Sequence, residues 1–600
     1  MCFFHSPFSA PITRAAVLKG FAALAAMPVM PSIAAAPQVT DLNAGRDLTA
    51  ITGATVLAGP DLAPLHDAVV LLRGHRIEAV GPASRTAVPA SAFRIDAAGH
   101  YVIPGLIDSH VHFFQSGGLY TRPDAIDLRS IRPYTEELAM VRANLPDTFA
   151  RYLSAGITSV VDVGGPFWNY DVRMQASQTA AAPRVMVAGP LISSVDRAIL
   201  DPNGDPPIVK IESVEAARAL IDRQLAARTD FVKFWWIVTP DHPAAAFTPV
   251  AQGAIEYAHA HGARVVIHAT ELETARLAVQ SGTDILAHSV FDADVDDAFV
   301  ELVRARNVIY CPTLIVLGNY RYTFSGKPNL TANDLLVANP EIVGTLFNMT
   351  DVEGTLPQEL QDRLHALSPG PPYAAMRNLK RVHDAGIRVA AGTDAGNIGT
   401  QHASSLYDEA LTMVASGLTP KEVLLTATRG GAAMMGRSDL GSIEPGKLAD
   451  LVVLAKNPLD DIAAIGSVKF VVKDGRVYEA AALLDESPAQ VVQRQVNAYN
   501  HHDADVFAQT YAADGVIVRP SAFVRSPGAI ATAYAVLFAN NPQLHAEIVD
   551  RAVDGDTVRD TEHLTGFADG STKDGAITYT VRDGKIARAE AENPPQPPGL

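Results

Sequence analysis

The sequence predicts an α/β protein: a (β/α)8 barrel of the TIM type, a small β domain beside it, and a separate α+β unit at the C-terminus. Three observations predict this. Between about residues 103 and 440, short apolar runs alternate with amphipathic, helix-like stretches, the rhythm of a parallel sheet with crossover helices. Two β-rich segments, 46–102 and 441–480, bracket that middle. From 487 to 594 the pattern changes again, to a helix-like run followed by antiparallel-type strands.

Composition narrows the function classes. The 600 residues need more than one core, since a domain typically holds roughly 100–200 residues. With 48% hydrophobic and 19% charged residues the chain is globular rather than fibrous or mainly disordered. A formal charge of −17 excludes a general nucleic-acid binder, which needs clustered positive charge. Two cysteines, Cys2 and Cys311, allow neither a disulfide framework nor a CxxC metal site. Any metal must be held by His, Asp, Glu or a modified Lys.

Residues 1–36 read as a signal peptide. Arg14 and Lys19 precede the apolar run Gly20-Phe-Ala-Ala-Leu-Ala-Ala-Met, and Ser32-Ile-Ala-Ala-Ala offers small residues for cleavage. The expectation is an exported protein, periplasmic or secreted. The run is interrupted by Pro28 and Pro31 and is short for a membrane span. The bracketing β segments contain Ala68-Val-Val-Leu-Leu-Arg, Asp450-Leu-Val-Val-Leu and the hairpin signal Lys473-Asp-Gly-Arg. Eight barrel strands are predicted: Val102–His110, Thr158–Gly164, Arg184–Pro190, Phe231–Val238, Arg264–Ala269, Asp284–His288, Val308–Val316 and Ile387–Asp394. The stretch 317–372, rich in Asn, Pro, Gly and Thr, reads as a long loop, either a lid over the substrate or a mobile insertion.

The strongest chemical signal is Pro104-Gly-Leu-Ile-Asp-Ser-His110-Val-His112. Alternation on a strand points both imidazoles to one side, which is half a metal site on one rigid element. His259-Ala-His261 has the same spacing but sits in a helix-like run ending at Gly262, where residues two apart diverge. Lys233 lies inside the apolar run Phe231-Val-Lys-Phe-Trp-Trp. Buried, it needs an acidic partner or conversion to a carbamate, which can bridge two metals. His268 and His288 end apolar runs, and Asp394 closes Arg388-Val-Ala-Ala-Gly-Thr-Asp before a glycine. Singly, each has an ordinary structural explanation. Together, six metal-competent groups fall on five predicted strands.

This pattern resembles the amidohydrolase superfamily, in its imidazolonepropionase-like, prolidase-like and ochratoxinase-like branch. The matching pieces are Val102–His112, Lys233, His268, His288, Gly392-Thr-Asp-Ala-Gly and Gly441-Ser-Ile-Glu-Pro-Gly-Lys-Leu-Ala-Asp. The resemblance implies a barrel with a flanking β-sandwich and two divalent ions, usually zinc. His110, His112 and Asp394 would bind one ion, His268 and His288 the other, and N6-carboxylated Lys233 would bridge them. A metal-bridging hydroxide would attack, with Asp394 as proton shuttle. His402 is either a substrate contact or a structural residue after the last strand. Tyr320 and Tyr322 are candidate oxyanion donors. The segment Val496-Asn-Ala-Tyr-Asn-His-His-Asp with Tyr579-Thr-Val-Arg-Asp-Gly-Lys-Ile resembles a SnoaL-like, ketosteroid-isomerase-like cone domain. For this unit the preferred reading is non-catalytic association into a homo-oligomer.

The function expected is exported hydrolysis of an amide or peptide bond in a small substrate, a dipeptide or N-acyl amino acid with a hydrophobic side chain. A cyclic amide, lactone or deaminase substrate is the alternative, although Lys233 argues against a deaminase of the one-metal kind. A non-catalytic metal-binding scaffold is a different class. No GxSxG elbow supports a serine hydrolase.

Overall fold

The computed structural model describes residues 40–365, 373–519 and 522–592. The leader expected over 1–36 lies outside the described residues. Two compact units are present: 40–322 with 373–484, and 323–365 with 485–592.

In the first unit the two bracketing segments build one continuous eight-stranded sheet. Leu48–Ala58 pairs antiparallel with Ala63–Arg73, which pairs with Arg76–Pro82. Tyr101–Pro104 lies parallel to Leu48–Ala58 and antiparallel to Leu451–Leu454. Val468–Lys473 and Arg476–Glu479 complete that edge, and Phe93–Asp96 also pairs with Leu48–Ala58. Strand alternation sends Ala68, Val70, Leu72, Leu451 and Val453 into one apolar core. The Lys473–Arg476 hairpin turns through Asp474 and Gly475, both at positive φ, as the two-residue turn requires.

The parallel strands follow the predicted order. Leu106–Val111, Ile157–Asp162 and Arg184–Val187 form one sheet. Phe231–Trp235, Arg264–His268, Ile285–Ala287 and Ile309–Cys311 form a second, extended by the unforeseen short strands Leu191–Ser193 and Ile208–Lys210. Single parallel bridges, Ala188↔Phe231, Tyr310↔Val389 and Val111↔Ala395, link the strands of one sheet to the other. Intervening helices start and stop where local chemistry dictates. Ser213 and Asp296 cap Val214–Ala226 and Asp297–Ala305 by accepting from Ala216 N and Phe299 N. Leu272–Ser281 ends at Gly282 with φ 105°.

Three predicted strands differ. Val102–His110 is divided at Gly105, where a Cβ would lie 2.1 Å from Thr158 Oγ1, so only glycine lets the chain pass between the two sheets. Val308–Val316 is strand only at Ile309–Cys311; it turns at Thr313 and becomes the helix Val316–Phe324. Ile387–Asp394 pairs only through bridges at Val389 and Ala395, because Asp394 takes φ 63° and breaks the extended run.

The second unit corrects the loop reading of 317–372. Its described part is mostly helical: Val316–Phe324, Ala332–Val337, Pro340–Val352 and Gln358–His365. The residues that suggested a loop are caps. Thr331 and Asp334 form a capping box, while Asn339 accepts from Glu341 N and Ile342 N with Pro340 at the first helical position. This insertion groups with the C-terminal segment rather than with the barrel range 103–440 that contains it in sequence. The helix Pro488–Asn500, capped by Ser487 and Gln490, presents Arg494 to the carbonyls of Leu335 and Ala338, and Asn497 Nδ2 donates to Pro340 O at 2.7 Å. The α+β remainder is a six-stranded sheet, in the order Ala522–Arg525, Tyr511–Arg519, Lys585–Ala591, Lys573–Arg582, Thr557–Thr565, His545–Asp554.

Arg494 also pairs with half-buried Glu486. Arg494→Ala removes one partner of that carboxylate and the buried donor to two helix-end carbonyls. We expect a loss of about 1–3 kcal/mol in that unit and faster hydrogen exchange over residues 332–352. Unchanged exchange there would show that Arg494 does not hold the insertion.

Candidate metal and active site

The segment that makes the bridges at Val389 and Ala395 is also the one that presents Asp394. Asp394 N donates to His110 O at 2.8 Å, and His112 N donates to Ala395 O at 2.8 Å. Gly392 makes the approach possible, since a Cβ there would lie 2.6 Å from Cys311 Sγ and 2.8 Å from His110 Cβ. Buried Asp108 fixes the turn: its carboxylate accepts from Thr393 Oγ1 at 2.7 Å and from Thr393 N and His110 N at 3.2 Å. Asp394 and His288 both hold positive φ, 63° and 72°, a strained state for residues other than glycine.

Around Asp394 the imidazoles converge. Oδ1 lies 3.3 Å from His110 Nε2 and 3.2 Å from His112 Nε2, and Oδ2 lies 3.9 Å from His288 Nδ1. One ligand atom each from His110, His288 and Asp394 fall within 4.8 Å of one another. The ring of His268 is 4.3 Å from that of His288. That group takes His288 together with His110 and Asp394, residues that the resemblance assigns to different ions. The opposite edge of two rings is oriented by the protein. His112 Nδ1 donates to Gly164 O, at 2.7 Å, which turns Nε2 toward Asp394. His288 Nδ1 is 2.6 Å from Thr313 Oγ1.

Burial sets the protonation states. It pushes His110 and His268 down to about 3, with the charge of Lys233 acting in the same direction, and holds His288 well below its ordinary value. These imidazoles are neutral at physiological pH. Burial raises Asp394, but His110, His112 and His288 outweigh it and hold the carboxyl well below the carboxylate range. Lys233, fully inside Phe231–Trp235, is lowered to about 8 by burial. Its Nζ has no hydrogen-bond partner among the described residues, nor do His110 Nδ1 and His268 Nε2. Sealed polar atoms of this kind destabilise a fold unless a ligand completes them. Neutral imidazole nitrogens with one carboxylate are the donor set of a transition-metal or zinc site.

The remaining candidates lie as follows. His402 stacks on Phe113, with its Nδ1 2.8 Å from Tyr152 Oη and its Nε2 2.8 Å from Gln115 O. Both ring nitrogens are engaged by protein groups, Tyr152 Oη and Gln115 O, which favours the structural of the two readings. Tyr320 is buried and donates to Asn397 Oδ1 at 2.8 Å, while Asn397 Nδ2 donates to Asp394 O at 3.0 Å. Tyr322, two residues further, is turned about 200° around the same helix axis. His259 is an exposed partner of Asp284, outside the cluster. Residues missed from sequence include Asp108, Asp162, Thr313, Glu409 and Arg122. Asp162 ends an apolar strand as Asp394 ends its run, and that signal was readable. Arg122 and Glu409 carried no local signal.

A profile of the amidohydrolase family matches residues 101–478, and one of SnoaL-like domains matches 492–589. The chain belongs to the amidohydrolase family. As a member it is a hydrolase of carbon–nitrogen bonds. It is 28% identical over 407 residues to imidazolonepropionase of Streptomyces avermitilis, covering 65% of this chain and 81% of that one. It is 24% identical over 420 residues to 8-oxoguanine deaminase of Pseudomonas aeruginosa, covering 66% and 83%. Among solved structures, a Xaa-Pro dipeptidase with bound methionine superposes with a TM-score of 0.54 at 21% identity, over 72% of this chain and 100% of that one. Ochratoxinase of A. niger gives 0.53 at 18%, over 72% and 96%. These two likenesses bear on the fold.

Buried Glu409 accepts from Leu314 N at 3.0 Å and Ile315 N at 3.2 Å, next to the Thr313 that touches His288. Glu409→Ala leaves those two amides without this acceptor, at about 1–3 kcal/mol each. A lower melting temperature and faster exchange at 314 and 315 are expected; native protection at both would dismiss Glu409 as the anchor of this turn.

Proposed function

We propose that this amidohydrolase is an exported, binuclear metal enzyme that cleaves an amide or peptide bond in a small substrate, a dipeptide or N-acyl amino acid with a hydrophobic side chain. The observation that carries the binuclear reading is Lys233. Its sealed amine, lowered to about 8, is partly neutral near physiological pH and is acted on by the charge of Asp394. A neutral amine adds to carbon dioxide and releases one proton, giving a carbamate with two ligand oxygens. His110, His112, His268, His288 and Asp394 supply the other donors. The parallel bridges at Phe231, Val389 and Ala395 support a closed (β/α)8 barrel presenting them.

Divalent ions held by this set, zinc by preference, would bring the pKa of a coordinated water toward neutrality and polarise a carbonyl. The residues of the chain do the rest. Asp394, ionised and held by its turn, accepts the proton of the attacking water and passes it to the leaving amine. His110, His268 and His288 stay neutral and keep their lone pairs. Beside His268, the ring of Trp235 opens an apolar cluster with Leu191, Val195, Ile208 and Ile237, which supports a hydrophobic substrate side chain. The imidazolonepropionase and deaminase relatives support a second reading, hydrolysis of a cyclic amide on the same residues. Export rests on the sequence of residues 1–36. Among the described residues no helix is long and apolar enough to cross a membrane. For the SnoaL-like unit we propose non-catalytic association.

Metal analysis joined to a hydrolysis screen of N-acyl amino acids, dipeptides and lactones tests the proposal. About two metal ions per chain and turnover of the acyclic amides are expected. Lys233→Met should fold, bind less metal and lose most turnover; two ions per chain at full activity would remove the bridge. Asp394→Asn should lower kcat by about 10²–10⁴-fold in folded protein. An unchanged rate would take the proton-transfer role from it.

A further inference from the structure

Asp162 is a buried carboxylate that the hydrolytic reading leaves unused. It ends the strand Ile157–Asp162 and is 0% exposed. A strand end needs only a local turn. Oδ1 makes one, accepting from Gly164 N at 3.0 Å. Oδ2 reaches further. It accepts from Phe113 N on the neighbouring segment at 3.2 Å and from Asn169 Nδ2 at 2.8 Å. Register explains the reach, because Asp162 pairs with Val111 across the parallel ladder.

The two backbone groups held in this way lie on either side of one candidate metal ligand. Phe113 follows His112 in the chain, and Gly164 O accepts from His112 Nδ1 at 2.7 Å. Asp162 thus fixes both the backbone that carries His112 and the carbonyl that holds its ring. Packing restricts the same carbonyl from behind. Gly164 sits at φ 139°, and a Cβ there would lie 2.6 Å from Leu191 Cδ1 and 3.0 Å from Gly189 O. A ring that donates from Nδ1 presents Nε2 to a ligand. His112 Nε2 lies 3.2 Å from Asp394 Oδ1.

A second observation is electrostatic. Burial pushes the Asp162 carboxyl up to about 7, and among the described residues the charge that opposes this is that of His112. Its three donors are N–H groups of neutral amides. Positive charge carried by a ligand of His112 stabilises a carboxylate so placed.

We propose that Asp162 is a positioning residue for the metal site: by holding Gly164 and Phe113 it sets the ring orientation and the ligand nitrogen of His112. The role rests on the metal reading above and deepens it. Asparagine in its place keeps the size but turns one acceptor into a donor. That donor faces either Gly164 N, or Phe113 N and Asn169 Nδ2. In both orientations one of the two backbone groups beside His112 is released.

The test is a double-mutant cycle on the full-length protein, with cobalt(II) alone as probe. Affinity is read by competition with a chelator, and the ligand field by visible absorption. Asp162→Asn should weaken cobalt binding by about 10–100-fold and alter the absorption bands in folded protein. In a His112→Ala background the same substitution should change affinity by less than about twofold, since the ring it positions is gone. Equal weakening in both backgrounds overturns the role and leaves Asp162 as a strand-end cap. Unchanged affinity and absorption in folded Asp162→Asn overturn it as well. Should Asp162→Asn not fold, Asn169→Ala carries the same cycle, because it removes the donor that aims Oδ2. A weakening that depends on His112 then supports the role, and its absence overturns it. No bond is cleaved in this measurement. Wild type that binds no cobalt overturns the metal reading together with this role. Wild type that binds it without a His112-dependent loss in the variants overturns the role alone.

Discussion

One ionised carboxylate held among dry imidazoles sets the terms for the rest of the catalytic unit. Asp394 lies within 3.3 Å of two ring nitrogens and 3.9 Å of a third. Bringing these groups out of water opposes folding, and the shortfall is largest for nitrogens that find no protein donor or acceptor. The surrounding structure compensates by rigidity. Apolar residues of the parallel strands, such as Ile107, Val161, Phe231, Val266 and Ile285, fill the core beneath. Asp108, Gly164 O and Thr313 then orient the ring and turn atoms from behind. The arrangement is pre-formed, which is what lets neutral nitrogens wait as ligands instead of collapsing onto one another.

The same constraint explains where the backbone is strained. A regular eighth strand would alternate its side chains and keep its amides in the ladder. Bending the chain at Asp394 into positive φ gives up that regularity and brings the carboxylate under the ends of the neighbouring strands. Gly392 allows the bend by yielding space to Cys311 and His110. His288, also at positive φ, makes a similar departure at the end of Ile285–Ala287. Strain thus sits at the residues whose side chains must face one point.

Much of this was legible in the sequence because it follows from period and composition. The seven regular parallel strands, the hairpin at Lys473–Arg476 and the helical placement of His259 all come from short-range pattern. What the sequence hid depends on distant neighbours. Asn339-Pro340 and Thr331 read as loop residues in isolation, and only the helices they cap show them as starts. The grouping of His288 with His110 depends on the turn at Asp394, a backbone angle with no composition signal. Arg122 and Asp124 are near neighbours in the chain, but Asn397, 275 residues from Arg122, meets them only after folding.

The insertion changes what the C-terminal unit can be. A domain joined by a plain linker could be added or lost with little effect on the enzyme. Here the helix carrying Tyr320 runs on into Thr323–His365, and that segment's helices find their packing and carbonyl partners on Pro488–Asn500. Chain connectivity therefore makes the SnoaL-like unit a scaffold for residues inserted between the last two strands of the catalytic unit. Tyr320 in turn donates to the Asn397 that holds the Asp394 carbonyl. Among the described residues the appended unit supplies none of the candidate metal ligands, all of which lie in the first unit.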